Sequence, residues 1–402
     1  MARTARRARV RGARRLQGAR IAGAVTACSL VGALAVTLPG SASAENAFEP
    51  PAAVMDVAAG AASGAGGVAS RAMAATAADR MAALGGVAVT LQFPAAPPPK
   101  AASRPVPRGA GISWGGWHSG AAGPEVANGS FGSWAGHSLG IVGVWCDSIE
   151  EAQRDLDAVD AYSGFDGDMD VAVGGLVKGE TWQQAASGAF VDRWTTAMRN
   201  LKAKRQGKGI TYVRIAHEMN GDWMPWGINA ANLAAYKTGY RLYASIVRKE
   251  FPQARLTWSP NGGNHTNVSI DDQYPGDDVV DVVGPDIYDG YPEVTSPSLW
   301  QESSSKWLTA ANPQGLGAWQ TWAARRGKPL ALPEWGLPYG DHPEFIRGVH
   351  DTLAAHAASR GSGSNAGRFV YDVYFNAEDK FKLYPGPNSS AGSLYKSLTW
   401  GN

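Results

Sequence analysis

From residue 109 onward the chain alternates short apolar runs with longer stretches that mix apolar and polar positions at helical spacing. Eight runs stand out: Gly111–Trp114, Gly140–Cys146, Met169–Leu176, Ile210–Ala216, Arg255–Ser259, Val279–Tyr288, Leu330–Glu334 and Arg368–Phe375. They are rich in Val and Ile and poor in charge, the pattern of strands buried on both faces. Between them, Glu150–Tyr162, Trp182–Arg205, Asn232–Glu250, Trp300–Ala310, Ala318–Arg326 and Pro343–Ser359 carry helical periodicity. Strands alternating with helices predict a parallel sheet. Eight such units predict closure into an α/β fold of the (β/α)8 TIM-barrel type. An open doubly wound sheet is the alternative, but no glycine-rich phosphate loop follows the first run.

Composition changes abruptly at Gly109. All fifteen Trp lie between Trp114 and Trp400. Residues 45–108 are rich in Ala, Gly and Pro and nearly free of aromatic side chains, so they cannot bury enough apolar area to offset their ordering entropy. They are expected to be a mostly disordered or proline-stiffened linker, with one possible helix over Ala69–Leu84. Residues 1–44 carry eight Arg, then an apolar stretch from Ile21 to Leu38, then Ser41-Ala42-Ser43-Ala44. That is the layout of a secretory signal peptide. The expected organisation is therefore signal peptide 1–44, linker 45–108 and a catalytic barrel 109–402, in a secreted, extracellular protein with no membrane attachment after cleavage.

Export changes the charge argument. The precursor has 37 basic and 35 acidic side chains, and losing eight Arg leaves 29 against 35, near −6. An acidic mature chain has no electrostatic reason to bind nucleic acid. Cys28 leaves with the signal, so Cys146 stands alone and neither a disulfide nor a multi-cysteine metal site is expected. No cofactor or metal is called for, and a monomer acting on a neutral polysaccharide is the expected state.

A barrel of this kind carries its chemistry at the C-terminal ends of its strands. The fourth run ends Arg214-Ile215-Ala216-His217-Glu218 and the seventh ends Leu332-Pro333-Glu334. Strand alternation puts Arg214, Ala216 and Glu218 on one face, with Val213 and Ile215 on the other. By the same count Leu330, Leu332 and Glu334 share a face, so both glutamates are expected to project toward the barrel axis. Two facing carboxyl groups suit glycosidic cleavage, one protonated to assist the leaving oxygen and one ionised to attack the anomeric carbon. A separation of about 5–5.5 Å would serve retention and a wider one inversion. Arg214 is expected to hold Glu334 ionised.

The neighbours suit sugar binding. Trp114, Trp117, Trp145, Trp223, Trp226, Trp335 and Phe375 lie at or near run ends, where rings can stack on the C–H faces of sugars. Trp182, Trp194, Trp319 and Trp322 fall in helical patterns and are assigned to the core. His217, Asn220, Asp286 and Tyr288 could hydrogen-bond hydroxyl groups. The pair His217-Glu218 does not make a zinc motif, because Gly221 stands where the second His would be needed.

The stretch Arg214-x-x-His217-Glu218-Met219-Asn220-Gly-x-Trp223 resembles the acid/base motif of glycoside hydrolase family 26, which includes many β-mannanases. Trp258-Ser-Pro-Asn261, then Asp281-Val-Val-Gly-Pro-Asp286-Ile-Tyr288, then Pro333-Glu334-Trp335-Gly336 resemble its later strands, in order. The resemblance implies a clan A barrel that retains configuration, with Glu218 as acid/base and Glu334 as nucleophile. It implies that His217, Trp223 and Tyr288 line the subsite of the reacting sugar, Tyr288 also bonding the nucleophile. Phe375 stands where mannanases of the family often place Trp. β-1,4-Mannan is the leading substrate, with β-1,3-1,4-glucan, β-1,3-xylan and bacterial exopolysaccharide as alternatives. A non-catalytic carbohydrate-binding barrel is the rival from another class.

Overall fold

A computed structural model describes residues 113–402 apart from Tyr291. The signal-peptide and linker assignments, and the start of the first predicted strand, lie outside the described residues.

Eleven strands occur among the described residues: β1 (His118–Ala122), β2 (Ile141–Cys146), β3 (Asp168–Val173), β4 (Thr211–Ile215), β5 (Arg255–Trp258), β6 (Val282–Val283), β7 (Ile287–Tyr288), β8 (Trp307–Thr309), β9 (Asn312–Pro313), β10 (Leu330–Gly336) and β11 (Phe369–Phe375). β8 and β9 form a separate antiparallel ribbon. The others close a ring of parallel pairs, β1-β2-β3-β4-β5-β6-β10-β11 and back to β1. β6 and β7 are two pieces of one barrel position, both paired to β10 and separated by Gly284-Pro285-Asp286. The fold is thus an eight-position parallel (β/α)8 barrel, with helices such as Val191–Lys204, Leu233–Glu250, Leu316–Arg325 and Pro343–Ala355 between the strands.

Two apolar clusters show which way each strand residue faces. The larger joins strand residues to helix residues such as Trp182, Trp194, Tyr236 and Trp319, and fills the layer between sheet and helices. The smaller is built mainly of strand residues, including Ala122, Ile141, Tyr212, Val282, Ala331, Tyr371 and Val373, and fills the barrel interior. Between these interior residues a polar column rises: Tyr371 Oη donates to Asp170 Oδ1 at 2.7 Å and accepts from Thr257 Oγ1 at 3.2 Å. Such buried polar groups are tolerable only because each finds a partner.

The first strand differs from its prediction. Trp114 makes only an isolated antiparallel bridge with Gly361, and the true β1 is His118-Ser-Gly-Ala-Ala. That segment lacks branched residues because the chains pack closely there. A Cβ on Gly120 would sit 1.8 Å from the Ile141 carbonyl oxygen.

Simple alternation also fails at both glutamate-bearing strand ends. β4 stops at Ile215, and Ala216 (φ 52°) and Glu218 (φ 50°) adopt left-handed backbone. Ala216 consequently joins the outer core instead of sharing a face with Arg214. On β10, Leu330 and Leu332 face the helices while Ala331 faces the interior. Strict alternation would send Glu334 outward with them. A register shift between Leu332 and Trp335, four residues opposite the three of Asp372–Tyr374, inserts one extra residue and turns Glu334 inward.

The left-handed turn at Ala216 gives a direct test. Ala216→Val should lower stability by about 1–3 kcal/mol, since a β-branched side chain is strained there and the site is already packed. Ala216→Gly should be near neutral. Thermal denaturation of the two variants checks the contrast, and equal midpoints would contradict it.

Candidate active site

Arg214 is the centre of the site. It projects from β4 into the barrel, has no exposed side-chain surface, and faces three carboxyl groups. Its Nε lies 2.7 Å from Asp170, its Nη1 lies 2.6 Å from Glu334 Oε1, and Asp286 stands 3.5 Å away. The Trp145 ring lies 5.9 Å from the guanidinium carbon.

Glu334 is wrapped in donors. Trp145 Nε1 donates to Oε1 at 2.7 Å, Arg214 Nη1 donates to the same oxygen at 2.6 Å, and Tyr288 Oη donates to Oε2 at 3.1 Å. Burial works to raise its pKa, but Arg214 first, then His217 when charged and the hydrogen bonds from Arg214 and Trp145, outweigh burial and hold the carboxyl below the ordinary glutamate value. His217 cannot supply the balancing charge at neutral pH, because burial pushes its imidazole down to about 4. The guanidinium therefore does this work.

Glu218 has the opposite character. Burial and then the negative charge of Glu334 push its pKa up to about 7, against the smaller opposing effects of two hydrogen bonds. Those bonds come from Asn261 Nδ2 to Oε1 at 2.7 Å and from Trp223 Nε1 to Oε2 at 2.8 Å. At neutral pH a proton on Glu218 and none on Glu334 is the favoured arrangement, the division of labour that an acid and a nucleophile require.

The other carboxyls respect that arrangement. Burial and then Glu334 push Asp286 well above its ordinary value, against the pull of Arg214, and it accepts from Ser259 Oγ at 3.2 Å. Asp147 is likewise pushed up to about 7 by burial and then Glu334, and its Oδ2 lies 3.4 Å from His217 Nδ1. Asp170, raised by burial to about 6 against the pull of Arg214, completes the set.

The sequence-assigned residues divide into two groups. Glu218, Glu334, Arg214, His217, Trp223, Asp286, Tyr288, Trp145 and Phe375 converge on one site, with Phe375 edge-on to Trp145 at 5.2 Å. Four do not reach it. Trp114 caps the opposite, N-terminal end of the barrel, packing in the interior cluster and under Arg255 at the start of β5. Trp226 is buried among the helices and donates to the His217 carbonyl at 2.6 Å. Trp335, on the far side of β10 from Glu334, packs against Trp400 and Tyr374 and donates to Asp372. Asn220 is buried with its amide engaged: it donates to the carbonyls of Asn261 and Gly263, both at 2.9 Å, and accepts from Asn261 N–H at 2.7 Å. Its role is to hold the loop that presents Asn261 to Glu218.

Three members were not assigned from sequence. Asn261 was visible only inside the Trp258-Ser-Pro-Asn261 segment. Asp170 was signalled by a charge inside an apolar run, and Asp147 by its place directly after β2. Among the described residues no three His, Cys, Asp or Glu side chains are grouped as a metal site.

Part of the chain matches a known family and named relatives. The profile of Glycosyl hydrolase family 26 matches residues 180–304, which include Arg214, Glu218, Asn261, Asp286 and Tyr288. A mannan endo-1,4-beta-mannosidase of Bifidobacterium adolescentis is 30% identical over 190 residues, 44% of this chain and 18% of that protein. One of Bacillus subtilis is 24% identical over 207 residues, 48% of this chain and 45% of its own length. The chain thus spans less than half the length of the curated relatives it matches. A solved endo-beta-1,4-mannanase of Cellulomonas fimi, a double mutant, aligns with a TM-score of 0.49 at 17% identity, covering 70% of this chain and 71% of that one. On its own motif and on the matched segment alike, this chain resembles glycosyl hydrolase family 26.

Proposed function

We propose that the protein is a secreted, endo-acting glycoside hydrolase that cleaves a β-linked polysaccharide, β-1,4-mannan first among the candidates, by double displacement with retention. One observation carries the chemistry: two mutually interacting buried carboxyls shifted in opposite directions, Glu218 up to about 7 and Glu334 down. Glu334, ionised and held by Arg214, Trp145 and Tyr288, attacks the anomeric carbon as Glu218 gives its proton to the departing oxygen. Once the sugar ester forms, Glu334 no longer carries charge. The like-charge effect on Glu218 then disappears, its pKa falls, and it becomes the base that activates water. The matched relatives' names support mannan as substrate. Export is supported by the basic, apolar and small-residue layout of residues 1–44.

The test is a screen of the purified chain for reducing ends released from mannans, mixed-linkage glucans, β-1,3-xylan and bacterial capsular polymers. Release from mannan with a spread of oligosaccharides is expected. Activity confined to another polymer would move the substrate, and none at all would favour a non-catalytic barrel.

The pH profile follows from the same pair. Below about 7 Glu218 keeps its proton, so kcat/KM should fall as pH rises through that value. Glu334 is already ionised below the ordinary glutamate value, so the acid limb should lie under pH 4.5. Trp223→Phe removes a donor to the charged form of Glu218 and should move the alkaline limb upward, as kcat/KM against pH would report.

A further inference from the structure

The loop Leu337–His342 leaves the barrel at Gly336, two residues past Glu334. Both of its ends are fixed beside the nucleophile. Asp289, the residue after Tyr288, donates its N–H to the Gly336 carbonyl at 3.0 Å. The buried carboxyl of Asp289 lies 2.6 Å from His342 Nδ1 and accepts from Val294 N–H at 3.0 Å. Between them, the Asp341 carboxylate accepts from the N–H groups of Ser390 and Ala391, both at 2.7 Å. Leu337 is fully buried and Pro338 restricts the backbone beside it. On this tied loop Tyr339 stands 69% exposed, the most exposed of the large apolar side chains among the described residues.

Tyr339 is five residues beyond Glu334, so its Cα lies within about 17 Å of that of Glu334, the reach of a few sugar units. An aromatic ring held in water by a rigid loop has little ordering entropy left to lose on binding. We propose that Tyr339 is a stacking platform for a pyranose ring of a neutral β-linked polysaccharide, at a subsite away from the bond being cleaved. The proposal rests on the glycosidase reading above. A protein partner is disfavoured because Tyr339 is followed in the chain by Gly340, Asp341 and His342, not by further apolar side chains. The other exposed large apolar residues, Ile149 between β2 and the next helix and Leu308 in β8, are distant from it in the chain and make no contiguous run with it.

The experiment compares the full chain with Tyr339→Ala, Tyr339→Phe and Leu308→Ser. Two readouts are used: retardation in native gels cast with soluble galactomannan, and KM and kcat for release of reducing ends from it. Loss of one stacking contact should raise KM about 2- to 10-fold in Tyr339→Ala with little change in kcat, and should weaken retardation in step. Tyr339→Phe keeps the ring and should match the parent, as should Leu308→Ser. Unchanged retardation and KM in Tyr339→Ala, or equal loss in Tyr339→Phe, would overturn the platform, as would a parent chain that galactomannan does not retard. Parent retardation that depends on Tyr339 without any hydrolysis would instead overturn the glycosidase reading alone.

Discussion

Replacing Glu334 with alanine is expected to lower kcat/KM on the cleaved polysaccharide by about 10⁴-fold or more while leaving the fold intact, because the proposed mechanism assigns the covalent sugar ester to this carboxylate. The variant should also behave in a way that mere loss of activity would not predict. Removing the Glu334 charge removes the second-largest influence raising Glu218, so the proton on Glu218 becomes more acidic. A substrate with a good leaving group, which needs no acid, should be cleaved by the variant when azide is supplied. The small anion would occupy the vacated space and give the α-glycosyl azide. Product anomer and rate are both read by NMR. Cleavage undiminished in Glu334→Ala would remove the residue from the mechanism.

The second large effect is expected at Arg214. Arg214→Met leaves Asp170 and Glu334 without their cation in an almost fully buried site. Breaking a buried ion cluster on one side costs about 3–5 kcal/mol, and loss of the charge that prepares the nucleophile costs about 10²–10³-fold in kcat/KM. The sign of the accompanying pH change separates these causes. Without the guanidinium, burial wins at Glu334 and its pKa rises, so the acid limb of the residual activity should move up. A variant that was only misfolded would show a lower amplitude with an unmoved limb. Arg214→Lys retains the charge but cannot contact Asp170 through one nitrogen and Glu334 through another, so it should fall between the two.

Much of the architecture was legible because it follows from periodicity. Runs such as Gly140–Cys146 and Arg368–Phe375 are apolar on both faces and match β2 and β11 closely. β1 was missed for the opposite reason: Gly120, Ala121 and Ala122 are small because neighbouring backbone is close, and small residues carry no strand signal. Glu218 and Glu334 were found by their place at strand ends, although the alternation used to aim them was incorrect in both cases. A left-handed turn at Ala216 and a register shift in β10 re-aim the two side chains, and neither leaves a mark in the order of apolar and polar residues.

The aromatic residues show the limit most clearly. Trp223 and Trp335 each lie within five residues of a glutamate, yet one bonds Glu218 and the other packs against Trp400 behind the strand. Nearness in sequence cannot distinguish them, because the side of a strand is decided by backbone geometry. Asn220 and Asn261 make the same point for polar groups. The residue in the motif holds the loop, and the residue outside it touches the carboxyl.

The measurement that bears most directly on the paired-carboxyl mechanism is the anomeric configuration of the first product, followed by ¹H NMR during the opening seconds of hydrolysis of a β-linked oligosaccharide. Attack by Glu334 followed by water at the same face predicts the β-anomer first, with the α-anomer appearing only by mutarotation. An α-anomer at the earliest time would mean that water attacks directly, and that Glu334 does not act as the nucleophile.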